Sequence, residues 1–290
     1  MSVETLKRSS RCVRLAGIQI AAQNDRDKNI KRTLSFTQKA LEKNAQIIAF
    51  PECFTLPWFH NMPIEAYRKL AEPIPGPSTE PFLRLSQEYP STFFCPVYHN
   101  YEGRFFFSTA CIQEGQILGI YNKVHLASAE GWNDRSLAEP GKDIPLFKTN
   151  QATVGIIMGW DVFFPEVIRS MALREAEIVL APTAAALGSK FRWLSVLSAH
   201  AVCNNLYVVR INRCGTENDL EFYGESFCVD PFGSLVDEPT FHKDSLMIVD
   251  IDLGDIEKSR KEFPFLKEMR PDLYGLLGIE DYNKEKENGF

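Results

Sequence analysis

The chain has 290 residues, 44% of them hydrophobic and 24% charged, with a formal net charge of −6. These are ordinary proportions for a globular protein with a sizeable core, and the acidic balance, unopposed by any run of Lys and Arg, excludes a nucleic-acid-binding face. No stretch of about 18 apolar residues marks a membrane span. The opening MSVETLKRSSRCVRLAGIQI does not read as a signal peptide, since Arg11 and Arg14 interrupt its apolar character and no small-residue cleavage site follows. Seven cysteines (Cys12, Cys53, Cys95, Cys111, Cys203, Cys214, Cys228) form no CxxC pair, and His60, His99, His125, His200 and His242 lack ligand spacing. The expectation is buried free thiols in a reducing, cytoplasmic compartment, with no metal and no cofactor.

Strands and helices alternate from the start. CVRLAGIQI reads as a strand. DRDKNIKRTLSFTQKALEKN follows as an amphipathic helix, with Ile30, Leu34, Ala40 and Leu41 at helical spacing. AQIIAF is a short continuous apolar run, the pattern of a strand covered on both faces, and PECFTLPWFHNMP after it is a loop. TEPFLRLSQEY is predicted helical; STFFCPVYHN, GRFFFSTACIQEG and GQILGIYNK are strands; ASAEGWNDRSLAEPGKD is an irregular loop of turn formers. TVGIIM is a strand, Pro165 opens a helix where its missing N–H is tolerated, and AEIVLAP is a strand. SKFRWLSVLSAHAVCNN is a helix, LYVVRINRCG a strand, ESFCVDPFGSLVDE a hairpin, SLMIVDIDL a strand and DIEKSRKEF a helix before a polar tail. About ten strands and five or six helices, without a low-complexity linker or internal repeat, predict one layered α/β domain over 1–290 with mixed sheets. Residues from about 265 to 290 form a C-terminal extension.

Ligand sites in such layers form on the loops at the carboxyl ends of strands. Three strand ends carry notable residues: Pro51–Glu52 after AQIIAF, Lys123 after ILGIYN, and Gly159–Trp160–Asp161 after VGIIM. A charge directly after an apolar strand is unfavourable unless paired or functional, and the plainer reading of Glu52 and Lys123 is that they satisfy each other. Phosphate loops, HExxH, GxGxxG and GxSxG are all absent. Cys53 is read as a core thiol, because alternation turns it away from the side that Glu52 faces. Phe54, Trp58 and Phe59 after the glutamate, and Trp132 in the irregular loop, are candidates for the walls of a narrow apolar cleft, or else plain loop anchors. Trp160 and Thr183, at or just past strand ends, are expected to face the site.

With these strand ends in view, the sequence closely resembles the nitrilase superfamily of carbon–nitrogen hydrolases. The likeness runs from VRLAGIQI through IIAFPECF, GIYNKVHL, GIIMGWDVFFPEVIR, NNLYVVRINRCG and FYGESFCVDPFGSLVDE to EMRPDLYGLL. Within the superfamily, RPDLYGLL and WDVFFPE look most like N-carbamoylputrescine amidases and aliphatic amidases. The resemblance implies a four-layer-forming αββα sandwich of nitrilase type, a small-molecule amide or carbamoyl amine as substrate, and a homo-oligomer, dimer or larger, with no nucleic-acid or membrane partner. The family's catalytic glutamate matches Glu52 and its lysine Lys123. Its second acidic residue falls on Asp134, one methylene shorter than the usual Glu, with Glu130 the fallback.

The family's nucleophilic cysteine position is occupied by Gly159. In the family a thiolate attacks the carbonyl carbon, an acid shuttles the proton, and the lysine with a backbone N–H at Trp160 holds the oxyanion. Glycine offers no attacking atom, so the chain is expected to bind and polarise a carbonyl without forming a thioester. Three readings stand open: an engineered replacement in an active amidase, a natural member that retains binding or assembly, and water attack assisted by Glu52. Asp134 and Asn204–Asn205, where the family usually has Glu and Glu–Asn, point toward natural divergence.

Overall fold

The computed structural model describes residues 11–60, 62–129, 132–217 and 219–274. In chain order it runs β1 (Cys12–Gln19), α1 (Arg26–Glu42), β2 (Ile47–Ala49), α2 (Ile64–Arg68), α3 (Glu80–Glu88), β3 (Thr92–Tyr101), β4 (Arg104–Gln113), β5 (Gln116–Asn122), β6 (Phe147–Lys148) and β7 (Thr153–Ile156). It continues with α4 (Pro165–Leu173), β8 (Ile178–Thr183), α5 (Lys190–Asn204), β9 (Tyr207–Asn212), β10 (Cys214–Glu217), β11 (Leu220–Tyr223), β12 (Phe227–Val229), β13 (Ser245–Asp252) and α6 (Gly254–Glu262). Glu130 and the chain beyond Tyr274, including the end of RPDLYGLL, lie outside the described residues.

The helices form for local reasons. Asp25 caps α1 by accepting the Lys28 N–H at 3.1 Å, and Ile30, Thr33, Thr37, Ala40 and Leu41 bury one face. Pro165 is the first residue of α4, as its missing N–H allows. Asn205 ends α5 in the left-handed region, φ 47°.

The strands assemble into two mixed sheets. One has the order β13-β1-β2-β3-β4-β5 and the other β12-β9-β8-β7-β6. In each, the central strands are parallel and the edges antiparallel. Alternation along the strands builds the layers. Ile47 and Ala49 of β2 face inward, where they share a core with Ile156, Leu180 and Val209 of the second sheet. Ile48 and Phe50 face outward onto Ala40, Leu41 and Phe82 of α1 and α3. Val179 and Val208 face outward onto Ile168 and Leu197 of α4 and α5. The result is the expected αββα stacking, and it explains why β2 and β8 read as unbroken apolar runs: both faces are covered.

Within ESFCVDPFGSLVDE, β12 pairs antiparallel with β9, and the segment folds back on itself as a short hairpin: Val229 bridges Leu235, the Asp230 N–H donates to the Ser234 carbonyl at 2.9 Å and the Val236 N–H to the Cys228 carbonyl at 2.9 Å. A second hairpin, which the sequence reading does not mark, lies earlier, where β10 and β11 pair from Cys214–Tyr223 to Glu217–Leu220. It projects from the end of the second sheet and supplies one wall of the cavity described below.

Phe54 belongs to the outer core. Its ring stacks on Phe50 at 4.7 Å and meets Phe82 edge-on at 5.9 Å. The chain bends after β2 so that Phe54 returns to the face Phe50 occupies, and the expectation that it lines the cleft is corrected. Phe54→Leu is therefore expected to lower unfolding stability by about 1 kcal/mol in urea denaturation; a change in ligand affinity with unaltered stability would contradict this placement.

Candidate active site

Carboxyl ends of strands from both sheets meet in one place. Glu52 follows β2, Lys123 follows β5 directly, Gly159 follows β7, and Asp134 sits in a 3-10 turn, Asp134–Ser136, of the long irregular loop. Lys123 Nζ donates to Glu52 Oε1 at 2.8 Å and to Asp134 Oδ2 at 2.6 Å. All three side chains are buried. An ammonium has three N–H groups; two serve these carboxylates, leaving one to offer a ligand oxygen.

The backbone at Gly159 lies against this cluster. A Cβ built there would come 2.7 Å from Glu52 Oε2 and 2.8 Å from Lys123 Nζ. Gly159 has φ +50°, the left-handed region that glycine enters most easily. The acid and the amine thus converge on the point where a side chain at 159 would begin.

Three anchors hold these loops in register. Arg213, fully buried at the end of β9, donates to the carbonyls of Glu52 (3.2 Å), Cys53 (2.9 Å) and Leu56 (2.9 Å) and pairs with Glu217. Glu217 in turn accepts the Trp58 N–H at 2.6 Å. Asp161 is the third: its Oδ1 accepts the His125 N–H at 2.7 Å, and its Oδ2 accepts the Met158 N–H at 3.0 Å and the Tyr121 hydroxyl. Tyr121 and His125 flank Lys123, so Asp161 ties the lysine's segment to the turn that carries Gly159.

Burial and charge shape the titration. Burial pushes the Glu52 carboxyl above its ordinary value; Lys123 pulls it down without fully offsetting that, and the like charges of Asp134 and Asp161 push it up further. For Lys123 burial acts downward, but Asp134 and Glu52 together overcome it and hold the ammonium above its ordinary value. A carboxyl whose folded pKa is raised favours folding while protonated. Its contribution is complete below the ordinary value of 4.5 and is lost as pH rises through the folded value. Glu52→Gln is therefore expected to gain stability relative to the parent as pH rises from 4 toward 8, read from denaturant midpoints along the series; a difference independent of pH would count against a raised Glu52.

The cluster forms the floor of a cavity of about 420 Å³. All four of the chain's tryptophans line it: Trp58, Trp132, Trp160 and Trp193. Of the residues predicted from sequence, Glu52, Lys123, Asp134, Gly159, Trp58, Trp132 and Trp160 come together here. Thr183 does not. β8 pairs with β9 as far as Thr183, whose hydroxyl donates to Asn212 Oδ1 at 3.0 Å and accepts from Arg210 Nε at 3.1 Å. The next residues, Ala184 to Ala186, line the cavity in its place. Phe59 packs on Tyr67 and Phe107 in the inner core. Cys53 is a buried core thiol, and burial raises its pKa far above the range where it would ionise.

Sequence reasoning missed Phe163, Trp193, Arg192 and Leu220 as cavity residues. Trp193 and Arg192 open α5, and Leu220 opens β11, so only the folding of these segments over the strand ends brings them in. A larger hollow of about 500 Å³ lies at the opposite end of the parallel strands, lined by Cys12, Arg14, Asn44 and Asp250. Its charges are already paired, with Arg14 bidentate to Asp250 at 2.7 and 2.8 Å, so it offers no convergent chemistry. Among the described residues no group of His, Cys, Asp and Glu is arranged to hold a metal ion, and no helix is long and apolar enough to cross a membrane.

The family model for carbon–nitrogen hydrolases matches residues 12–261. The chain is 29% identical over 286 residues to the N-carbamoylputrescine amidase of Solanum lycopersicum, covering 92% of this chain and 95% of that protein. It is 29% identical over 276 residues to a citrullinase of Francisella tularensis, covering 90% and 96%. Its fold superposes on the crystal structure of a carbon–nitrogen hydrolase from Helicobacter pylori with a TM-score of 0.87, at 25% identity over 92% of this chain and 98% of that one.

Proposed function

The chain belongs to the carbon–nitrogen hydrolase family, and from that premise we propose that its cavity takes up small amides or N-carbamoyl amines and polarises their carbonyl without forming a thioester. The observation that carries this reading is the convergence of Glu52 and Lys123 on the missing side chain of Gly159. In this reading the acid and the amine serve the carbonyl, and glycine at 159 supplies no attacking atom.

The roles follow from the chemistry of each group. Lys123 presents its remaining N–H, together with the backbone of Trp160, to the carbonyl oxygen. Asp134 holds the lysine from the other side and keeps it charged. Glu52, with its raised pKa, can share a proton with the amide nitrogen end of the ligand. With no thiol to acylate, binding is the end point and the protein serves as a receptor for its ligand. The low polarity of the walls lets a few charged groups at the floor dominate orientation.

The same four tryptophans that form the walls report on the ligand. Adding acetamide, butyramide or an N-carbamoyl alkylamine is expected to change intrinsic fluorescence saturably, with matching heats in titration calorimetry. Absence of both signals across the series, from protein with a cooperative melting transition, would sink the proposal.

A further inference from the structure

Resting on the amide-pocket reading, we infer that the cavity selects amides carrying a carboxylate at the end remote from the amide, and that Arg192 is the residue that receives it. Charge in the cavity is unevenly distributed. Two carboxylates and one ammonium lie at the floor, where the reactive end of an amide belongs. Arg192 lies on the lining of the cavity, is exposed to solvent, and forms no ion pair among the described residues. Its neighbour Lys190 differs: that ammonium is held by Glu225 at 2.5 Å.

The wall behind Arg192 adds to the same field. The fully buried Arg210 guanidinium lies 5.0 Å from the Trp193 ring centroid; it donates to the Thr183 hydroxyl and the Glu225 carbonyl, and the Tyr223 hydroxyl and the Glu225 carboxylate, which Lys190 also engages, are its further neighbours. Arg213 sits 5.7 Å from the Trp58 ring, with Glu217 balancing it. The first turn of α5 has no acidic residue to oppose the positive end of its dipole. Among the described residues, the acidic groups near the opposite wall are directed elsewhere: Asp219 lies beside His60 at 3.8 Å, and Glu221 alternates with the cavity-lining Leu220 on β11.

A ligand with a cationic tail would meet this field unfavourably, even though tryptophan faces ordinarily attract cations, because two of those rings already carry guanidinium groups. A neutral tail would leave Arg192 unanswered. A carboxylate would gain a charge-assisted, bidentate partner, with the aliphatic spacer against Trp58, Trp132 and Leu220. The class is thus a mono-amide of a dicarboxylic acid, or an N-carbamoyl amino acid of similar length.

The test uses the protein as it stands and three matched amides at each of several spacer lengths: an ω-carboxy amide such as glutaramate or adipamate, the uncharged alkyl amide, and the ω-amino amide. Calorimetry on the parent is expected to rank carboxylate over neutral by about tenfold at the best length, with the amine weakest. In Arg192→Ala the carboxylate-to-neutral ratio should fall to about one, and in Arg192→Glu the order should reverse toward the amine. Binding of neutral amides with no carboxylate preference at any length, or a preference that survives in Arg192→Ala, would overturn the selectivity while leaving the amide pocket intact. Failure of every amide to bind would remove the pocket reading and the selectivity together.

Discussion

Gly159→Cys is expected to turn the protein into an amide hydrolase, raising the rate of ammonia release by at least about 10³-fold over the parent. Removing the nucleophile of a serine-type triad costs on the order of 10⁶ in kcat, with a remainder supplied by binding and oxyanion contacts. Not all of that range should return at once. The new Cβ would begin 2.7 Å from Glu52 Oε2 and 2.8 Å from Lys123 Nζ, so the pair must draw back. Both contacts are the ends of flexible side chains, and a modest rotation opens the space. The backbone at φ +50° adds a strain of about 1 kcal/mol for a residue with a Cβ.

The steps balance simply in that variant. The thiol gives its proton to Glu52 as sulfur bonds to the carbonyl carbon, and the oxygen takes the electron pair beside Lys123. The carbon–nitrogen bond then breaks as Glu52 returns the proton to nitrogen. Water gives a proton to Glu52 as its oxygen bonds to the thioester carbon; the carbon–sulfur bond then breaks, Glu52 returns that proton to sulfur, and the acid is released. Rapid-quench mass spectrometry should find the acyl-enzyme, and Gly159→Cys/Glu52→Gln should lose turnover. A well-folded Gly159→Cys protein that releases no more ammonia than the parent, over neutral and charged amides alike, would show that position 159 is not the seat of a nucleophile.

The second large effect is on stability. Lys123→Met should destabilise the fold by about 3–5 kcal/mol near pH 7, because it leaves Glu52 and Asp134 buried without their shared cation. The loss should shrink as pH falls toward the carboxylate range. Glu52 already has a raised pKa, and without Lys123 it would be raised further, so it takes up a proton and removes one buried charge. Lys123→Met/Glu52→Gln should recover part of the stability at neutral pH for the same reason. Urea midpoints at pH 5 and pH 8 decide the matter: equal losses at both would mean that packing of the lysine stem, and not uncompensated charge, sets the effect.

Most of the secondary structure was legible in the sequence because its causes are local. Asp25 before an apolar stripe marks α1, Pro165 marks the start of α4, and two-sided apolar runs mark β2 and β8. The turn chemistry of DPFG marks the hairpin that closes there, whereas the pairing of Cys214–Glu217 with Leu220–Tyr223 goes unmarked because its alternation is weaker. Phe54 and Thr183 were misassigned by one strand face and one residue of phase. The first returns to the outer core through a bend, and the second is captured by Asn212 and Arg210 one step before the cavity begins.

What the sequence determined by itself was the identity of the candidate groups: an acid after β2 and an amine after β5, each beside an apolar strand end where an unpaired charge is unfavourable, with a second acid in the long loop and a glycine after β7. Tertiary structure alone decided that they meet. Glu52 and Lys123 are 71 residues apart and come from different strand ends, and local patterning has no reach over that span. The order of one sheet sets the carboxyl ends of β2 and β5 on the same edge, the stacking of the second sheet adds Gly159 after β7, and only the folding of α5 and β11 over those ends decides which tryptophans and which arginine border the space.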